Sequence, residues 1–399
     1  MPTPTPERFT VEFPDAAVDD LCDRLRRTRW PLDPGNADWT YGTSLEYLRE
    51  FVRYWSEEYD WRAAEAAINR FDHYRVELDG VPVHFVWRRS AQPGALPLIC
   101  THGWPWTFWD LHRMIEPLAD PAAHDGDPSD AFDVVVPSLP GFGFSSPLTR
   151  TGIGAGATAR LWRRLMTEVL GYPRFGAQGG DFGAIVTQAM AQQSGTDLIG
   201  VHLNRYKRLA SVGQAMGTGV VTADDYGPGE EGEYERQLAG QPLGVSHLTV
   251  NTHDPQSLAY GMNDSPVGLA GWLLERRRAW SDCDGDLEQA FDREFLATTL
   301  TLYWLTETFP TSLRMYWETA HEPPPPIGIG RDGLVIDAPL AIGVLPRDVI
   351  VMPRSHAEQD TNLQRWTRYE RGGHFGPAEV PELIVDDLRS FFRPLRNAD

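Results

Sequence analysis

The chain has 399 residues, 41% of them hydrophobic, so it can bury a substantial core as one large domain with an insertion or as two domains. Its formal charge of −20 argues against nucleic acid or an anionic membrane surface as a partner. The three cysteines, Cys22, Cys100 and Cys283, lie far apart without metal-ligand spacing. They predict reduced thiols, no disulfide framework, no metal site and a cytoplasmic location.

Residues 1–75 are predicted to form a helical region. An apolar stripe at helical spacing runs from Val18 to Leu25, a second helix follows Ser44, and a third begins at Trp61. The N-terminus has neither the basic nor the apolar segment of a signal peptide. No apolar run approaches the length of about 18 residues that a membrane span needs. We therefore expect a soluble protein.

Strands begin after this region and alternate with helices. The predicted strands are His73–Leu78, Val81–Arg88, Leu96–Thr101, Phe132–Pro137 and Phe175–Gln178. The first two form a hairpin around Asp79-Gly80. Strands that alternate with helices predict an α/β fold with a doubly wound, mostly parallel sheet.

The composition changes near residue 205 and becomes rich in glycine, tyrosine and acidic residues, which predicts an insertion over the strand ends. Strand-like sequence returns at Ala338–Val344 and Val349–Met352, and a last helix covers Pro381 to Phe392. The predicted organisation is 1–75 as the N-terminal helical region, 76–204 as the first part of the α/β core, 205–326 as a helical lid, and 327–399 as the second part of the core.

Two glycine strings, 152–156 and 328–330, invite a dinucleotide-binding interpretation. Neither has the full six-residue glycine spacing within a strand–turn–helix unit. We interpret both as loops and expect no cofactor.

The stretch Gly179-Gly180-Asp181-Phe182-Gly183-Ala184 lies between a predicted strand and an apolar helical run. Small residues around one acid at such a junction are typical of a nucleophile elbow, a turn so sharp that larger residues clash. A carboxylate nucleophile forms an ester with an alkyl carbon, so an epoxide or alkyl halide is the expected electrophile. The alternative is a glycine-rich turn in which Asp181 caps the next helix.

A candidate base and its orienting acid follow the elbow in the order acid, then histidine. His374 lies on a loop behind two glycines, shortly before the last helix, and could deprotonate the water that releases the ester. Asp348 follows a predicted strand and would hold the imidazole in its working tautomer. Asp337 and Asp360 are the alternatives for this acid.

The loop His102-Gly103-Trp104-Pro105 follows another predicted strand. In a fold with a nucleophile elbow, this loop supplies one oxyanion-hole amide and the residue after the nucleophile supplies the other. The backbone N–H groups of Trp104 and Phe182 are therefore the expected donors, and the Trp104–Pro105 peptide bond is a candidate for the cis form.

Taken together, these motifs resemble those of the microsomal-type epoxide hydrolases of the α/β-hydrolase fold, over nearly the whole chain. The stretches that carry the resemblance are Phe9-Thr10-Val11, Thr28-Arg29-Trp30-Pro31, His102 to Pro105, Gly179 to Ala184, Asn263 to Gly268 and Arg371 to Phe375. The segment from Asn263 to Trp280 looks most like bacterial members that act in enediyne antibiotic biosynthesis. Unlike the mammalian enzyme, no N-terminal membrane anchor is expected here.

The resemblance implies a mechanism without metal or cofactor. Asp181 would attack one epoxide carbon to form a hydroxyalkyl ester, and water activated by His374 and Asp348 would release a vicinal diol. The implied partners are thus a small-molecule epoxide and water. The N-terminal helices and the lid could also support a homodimer, although the sequence leaves the oligomeric state open.

The family normally uses two lid tyrosines to hold the epoxide oxygen, and only the second has a clear match, Tyr316. The position of the first is occupied by His247. The alternatives for this role are Tyr260, Tyr206 and Tyr303. Trp106 stands where the family usually has glycine and is expected to shape the substrate pocket, to which Tyr260 is also assigned.

Two competing functions remain at this point. A haloalkane dehalogenase shares the carboxylate nucleophile and the ester, but it would need halide-binding Trp or Asn donors in place of Tyr316. A non-catalytic binding protein of the same fold would be expected to lack one of the three residues Asp181, Asp348 and His374.

Overall fold

The structure is a computed structural model that describes residues 4–193, 195–206, 221–323 and 335–396. The glycine string 328–330, interpreted above as a loop, lies outside the described residues. Residues 207–220 of the predicted lid also lie outside them.

Nine strands of the described chain form one sheet. They are β1 (Glu7–Phe9), β2 (His73–Leu78), β3 (Val81–Arg88), β4 (Leu96–Thr101), β5 (Phe132–Pro137), β6 (Phe175–Gly179), β7 (Leu198–Leu203), β8 (Ile336–Val344) and β9 (Thr361–Arg368). Their order across the sheet is β1-β2-β3-β5-β4-β6-β7-β8-β9. The pairs β1–β2, β2–β3 and β3–β5 are antiparallel. The pairs β5–β4, β4–β6, β6–β7, β7–β8 and β8–β9 are parallel. The predicted fold class is confirmed.

Helices cover the sheet and build the lid. They are α1 (Asp15–Arg26), α2 (Leu45–Glu57), α3 (Trp61–Ile68), α4 (His112–Ala119), α5 (Ala155–Arg164), α6 (Phe182–Gln192), α7 (Glu233–His253), α8 (Pro255–Asp264), α9 (Pro266–Trp280), α10 (Arg293–Leu305), α11 (Phe309–His321), α12 (Arg354–Asp360), α13 (Gly376–Glu379) and α14 (Pro381–Phe392). On the core, α5 packs with α6 and α4 with α14; in the lid, α11 packs on α7 and α8. Among the helices that the structure describes, none is both long and apolar enough to cross a membrane.

The N-terminal helices lie against the lid, because α1 and α2 contact α9, and α2 and α3 contact α10. Polar bonds reinforce these contacts. The Thr43 hydroxyl donates to the Gly271 carbonyl at 2.6 Å, and the buried indole N–H of Trp55 donates to the Thr301 hydroxyl at 2.8 Å. The N-terminal region therefore supports the lid from its outer side.

The prediction of a strand at Val349–Met352 was wrong, since this segment has no regular secondary structure. The last strand is β9, at Thr361–Arg368, whose side chains are mostly half-buried. An edge strand keeps one face partly in water and therefore carries polar residues. Because β9 has no apolar run, the sequence pattern did not predict it. The short strand β1 was missed as well.

A buried ion pair joins the lid to the loop that follows β4. Arg277 of α9 lies 2.6 Å from Asp110, and the two side chains are 2% and 0% exposed. Arg277 also donates to the Pro105 carbonyl and lies 4.0 Å from the ring centroid of Phe375, beside the predicted base. Burial raises the pKa of Asp110, and Arg277 opposes this increase.

Replacing Arg277 with methionine would leave the Asp110 carboxylate buried without its partner. We expect the free energy of unfolding to fall by about 3–5 kcal/mol, as for other broken buried pairs. Urea unfolding measures this loss. Arg278→Met is the matched control, because Arg278 is the next residue of the same helix but lies at the surface. Equal destabilisation by the two variants would contradict a structural role for the pair.

Candidate active site

Asp181 occupies the turn between β6 and α6 with φ 48° and ψ −121°, a backbone conformation that residues other than glycine rarely adopt. The turn is tightly enclosed. A Cβ atom on Gly183 would lie 1.9 Å from the Thr101 carbonyl oxygen, and one on Gly103 would lie 2.5 Å from the Asp181 Cβ. The local backbone thus has the geometry of a nucleophile elbow, with the carboxylate presented above the carboxyl ends of the strands.

Three of the predicted residues come together at this sheet edge. His374 Nδ1 lies 2.8 Å from Asp348 Oδ1, and its Nε2 faces Asp181 Oδ2 at 3.4 Å. Within the described part of the chain, Nε2 makes no hydrogen bond of good geometry. Asp348 therefore orients the imidazole from one side, and the buried Nε2 on the other side faces the nucleophile.

The two alternative acids lie elsewhere. Asp337 is exposed on β8, and its carbonyl accepts a hydrogen bond from Asn362. Asp360 ends α12 and accepts a hydrogen bond from the Tyr206 hydroxyl at 3.3 Å. Of the three candidates, the structure places Asp348 next to His374.

The loop after β4 reaches the nucleophile. The backbone N–H of Trp104 donates to Asp181 Oδ1 at 2.8 Å, and the Trp104–Pro105 peptide bond is cis. Phe182 is the first residue of α6, so its N–H lies among the helix-end donors that lack an intrahelical acceptor. These are the two positions predicted for oxyanion-hole donors, and Oδ1 already occupies the one at Trp104.

The protonation of Asp181, His374 and Asp348 is interdependent, because each charge shifts the pKa of the others. Burial would raise the pKa of Asp181, but His374, Arg205 and the Trp104 N–H together hold it well below its usual range. Burial opposes protonation of His374, but Asp348 and Asp181 outweigh it and raise its pKa to about 9. The resting site is therefore a carboxylate–imidazolium–carboxylate arrangement at neutral pH.

Tyr316 and His247 lie together over the elbow. Tyr316 of α11 is 2% exposed, and its ring meets that of Phe182 edge-on at 4.6 Å. His247 of α7 is 4% exposed, stacks on Trp104 at 5.1 Å, and lies 5.4 Å from the Tyr316 ring. Its Nδ1 is buried without a hydrogen-bond partner among the described residues.

The other candidates for the first lid donor are not at this position. Tyr206 donates to Asp360, and the Tyr303 hydroxyl donates to the Trp106 carbonyl at 2.7 Å. Tyr260 is 71% exposed on α8, and its assignment to the substrate pocket stays a prediction. His247 is the one candidate of the four that contacts Tyr316 and Trp104.

Trp106 is fully buried and packs against the array. Its ring lies 5.7 Å from that of His374, and a Cβ on Gly180 would meet its ring edge at 2.9 Å. Both contacts are with parts of the array and the elbow. The Trp106 side chain therefore packs against the base and the elbow, and its role in shaping the substrate pocket stays a prediction.

Burial and the neighbouring Arg276 lower the pKa of His247 to about 3. Its imidazole is thus neutral at neutral pH, with one N–H to donate. Burial and Asp181 raise the pKa of Tyr316 well above its usual value, so the phenol keeps its proton until an alkoxide forms nearby. Both groups can therefore donate hydrogen bonds to a substrate atom above the elbow.

Sequence reasoning missed two charged groups at the site. Arg205 follows β7 and lies 3.8 Å from Asp181 Oδ2. Glu379 accepts the backbone N–H groups of Asp282, Gly373 and Phe375, and so fixes both neighbours of the predicted base. A charged residue two positions after a buried parallel strand was the available signal for Arg205, since such strand ends form the sites of α/β folds.

Among residues 4–193, 195–206, 221–323 and 335–396, no group of three or more His, Cys, Asp or Glu side chains is arranged to hold a metal ion.

The parallel sheet with a nucleophile elbow, followed along the chain by an acid and a histidine, defines an α/β-hydrolase-fold protein. Comparison with known families agrees, since residues 97–231 match the family described as alpha/beta hydrolase fold, and residues 6–111 match Epoxide hydrolase N terminus.

Individual relatives show which family of the α/β-hydrolase fold the chain belongs to. A protein of Stigmatella aurantiaca, provisionally named an epoxide hydrolase, is 39% identical over 97% of this chain and 85% of its own length. Epoxide hydrolase 1 of Sus scrofa is 30% identical over 96% of this chain and 87% of its own. The solved structure of Aspergillus niger epoxide hydrolase superposes with a TM-score of 0.83 at 27% identity, covering 98% of this chain and 96% of that one. The chain belongs to the epoxide hydrolase family.

Glu379 provides a pH-dependent test of the loop that carries His374. Burial raises its pKa from 4.5 to about 7 despite the three N–H donors. Its stabilising contribution is therefore fully present below pH 4.5 and is lost as the pH rises through about 7. Glu379→Gln should remove this part of the pH dependence of the melting temperature. Glu382→Gln, an exposed position on α14, is the control, and an unchanged slope in the Glu379 variant would refute the assignment.

Proposed function

We propose that this chain hydrolyses epoxides to vicinal diols through a covalent ester on Asp181, with His374 and Asp348 activating the water. One observation carries the proposal. A carboxylate at a nucleophile elbow has one oxygen on the Trp104 N–H and the other facing the imidazole that Asp348 orients. Oδ1 is therefore assigned to the oxyanion hole and Oδ2 to nucleophilic attack.

In the first step, Asp181 Oδ2 attacks one ring carbon in line with the C–O bond that breaks. The electron pair of that bond moves to the epoxide oxygen, which takes a proton from Tyr316 as the alkoxide develops. His247 donates a hydrogen bond to the same oxygen. Because His247 is a neutral imidazole, it acts as a hydrogen-bond donor, and the transferred proton comes from the phenol.

In the second step, loss of the Asp181 charge lets His374 release its resting proton to solvent. The neutral Nε2 then removes a proton from water, and the oxygen of that water adds to the Asp181 carboxyl carbon; after turnover His374 takes a proton back from solvent. The negative charge develops on Oδ1, where the Trp104 N–H already donates and the Phe182 N–H lies at the helix end. The bond to the alkyl oxygen then breaks, and that oxygen takes the proton from His374. The remaining carboxylic proton returns to Tyr316 through solvent, so an epoxide and one water give one diol.

The natural substrate is a narrower proposal. The similarity of residues 263–280 to members that act in enediyne biosynthesis favours a bulky secondary-metabolite epoxide and a role in antibiotic production. Comparing turnover of aliphatic, aryl and polycyclic epoxides, with chiral analysis of the diols, addresses this question independently of the mechanism.

Trapping the ester tests the mechanism directly. With styrene oxide, His374→Gln should form the ester but hydrolyse it slowly, so the peptide that contains Asp181 should carry the adduct mass. Asp181→Asn is the control and should carry none. Absence of the adduct during turnover would exclude covalent catalysis at this residue. Release of halide from haloalkanes without diol formation from styrene oxide would favour the dehalogenase alternative.

Removing the two donors tests proton delivery. We expect Tyr316→Phe to slow ester formation by about 10²-fold or more, because it removes the general acid. His247→Phe should slow it about tenfold, which corresponds to one hydrogen bond of about 1.4 kcal/mol. His247→Tyr should keep most of the activity, since it restores the usual pair. Rapid-quench measurement of ester formation reports each rate. An unaffected rate in His247→Phe would limit this histidine to packing.

A further inference from the structure

Arg205 lies two residues after the end of β7, at the same sheet edge as Asp181 and Asp348. Its neighbour Asn204 is anchored, since its backbone N–H donates to the Gly179 carbonyl and its side chain accepts from Gln178. The Arg205 side chain is 13% exposed, as is that of Asp181. A fixed backbone therefore presents a largely buried cation to the nucleophile.

The contact between Arg205 and the nucleophile is electrostatic. Nη2 lies 3.8 Å from Asp181 Oδ2, beyond hydrogen-bonding distance. The guanidinium makes no hydrogen bond to other residues in the part of the chain that the structure describes. Its charge also acts on Asp348, His247 and Tyr316, so it lies near the centre of the reacting groups.

Arg205 and His374 face the same oxygen atom, Asp181 Oδ2, at 3.8 and 3.4 Å. While Asp181 is ionised, one carboxylate oxygen lies between two cations and offsets their repulsion. Ester formation removes this negative charge, whereas the guanidinium remains charged at every pH of interest. The two cationic groups then face each other across a neutral ester.

We propose that Arg205 is an electrostatic positioning residue for the second half-reaction, in which its uncompensated charge drives His374 to its neutral form and so makes it a base for water. The proposal rests on the proposed function, because it needs the ester on Asp181. It assigns opposite roles to one cation, which stabilises the resting carboxylate and activates the imidazole after alkylation.

The other charged groups around His374 do not change on ester formation. Asp348 and Asp181 act on His374 directly, and Arg205 lies on the same Asp181 oxygen. His247 and Glu379 also interact with its charge, and Asp282 accepts the backbone N–H of Gly372 nearby. Asp348 remains a carboxylate and His247 remains neutral. Glu379 titrates near pH 7, so its ionisation must be separated from that of His374 in any experiment.

The test is the pH profile of ester hydrolysis in Arg205→Met, measured by rapid quench after a single turnover of styrene oxide. Without the cation, His374 should hold its proton to higher pH. The acidic limb of the pH profile of ester hydrolysis should move to higher pH by at least about one unit, which is the shift that a charge at this distance produces. Hydrolysis at pH 7 should slow about tenfold while ester formation does not slow, so the adduct on Asp181 should accumulate.

Three further variants make the result decisive. Arg205→Lys keeps the charge and should keep the wild-type limb. Arg53→Met removes an arginine that is 58% exposed and should change neither rate. Repeating the comparison in a Glu379→Gln background assigns the limb to His374.

An unmoved limb in Arg205→Met, or a lysine variant that behaves like methionine, would overturn the proposal. Slower ester formation with normal hydrolysis would also overturn it, since Arg205 would then act in the first step. If wild type and His374→Gln form no ester, the proposed function itself fails. Failure of the proposed function can be told apart from failure of the Arg205 proposal, because ester formation comes before the step on which Arg205 acts.

Discussion

The approach of the α6 backbone to the end of β4 is the constraint on which the site depends. Gly183 lies so close to the Thr101 carbonyl that a single methyl group would not fit between them. This proximity forces the turn between β6 and α6 into a conformation that Asp181 adopts at positive φ. It also brings Gly103 against the aspartate and Trp104 to its carboxylate. Nucleophile and oxyanion donor are thus positioned by one contact between backbones.

The lid completes the site through the end of α9. The backbone N–H of His374 donates to the Trp280 carbonyl at 2.8 Å, and the Trp280 ring lies 4.8 Å from that of His247. Three residues earlier in the same helix, Arg277 binds Asp110 in the loop after β4. A single helix therefore contacts the base, the hydrogen-bond donor and the oxyanion loop. Errors in its position would affect both steps of the proposed mechanism at once.

The sequence carried the core of this architecture, because buried parallel strands are apolar runs and the elbow demands small residues. The boundaries of β2 to β5 were predicted without error, whereas the polar edge strand β9 gave no such signal. The same contrast holds in the site. Asp181 and His374 stand in local motifs, while Tyr260 was ambiguous because a lid helix gives no local sign of which face meets the substrate. The role of Arg205 depends on distances between strands that no local pattern encodes.

The outer support of the lid has a consequence for engineering. Helices α9 and α10 lie beneath the N-terminal helices, whereas α11 packs on α7 and α8. The first pair is therefore also held by the N-terminal region, through bonds such as that from Thr43 to Gly271. Directed evolution of substrate range would meet two kinds of mutational tolerance within one lid. Libraries aimed at α7, which carries His247, would vary residues over the elbow. Libraries aimed at α9 would also need compensating changes near Thr43.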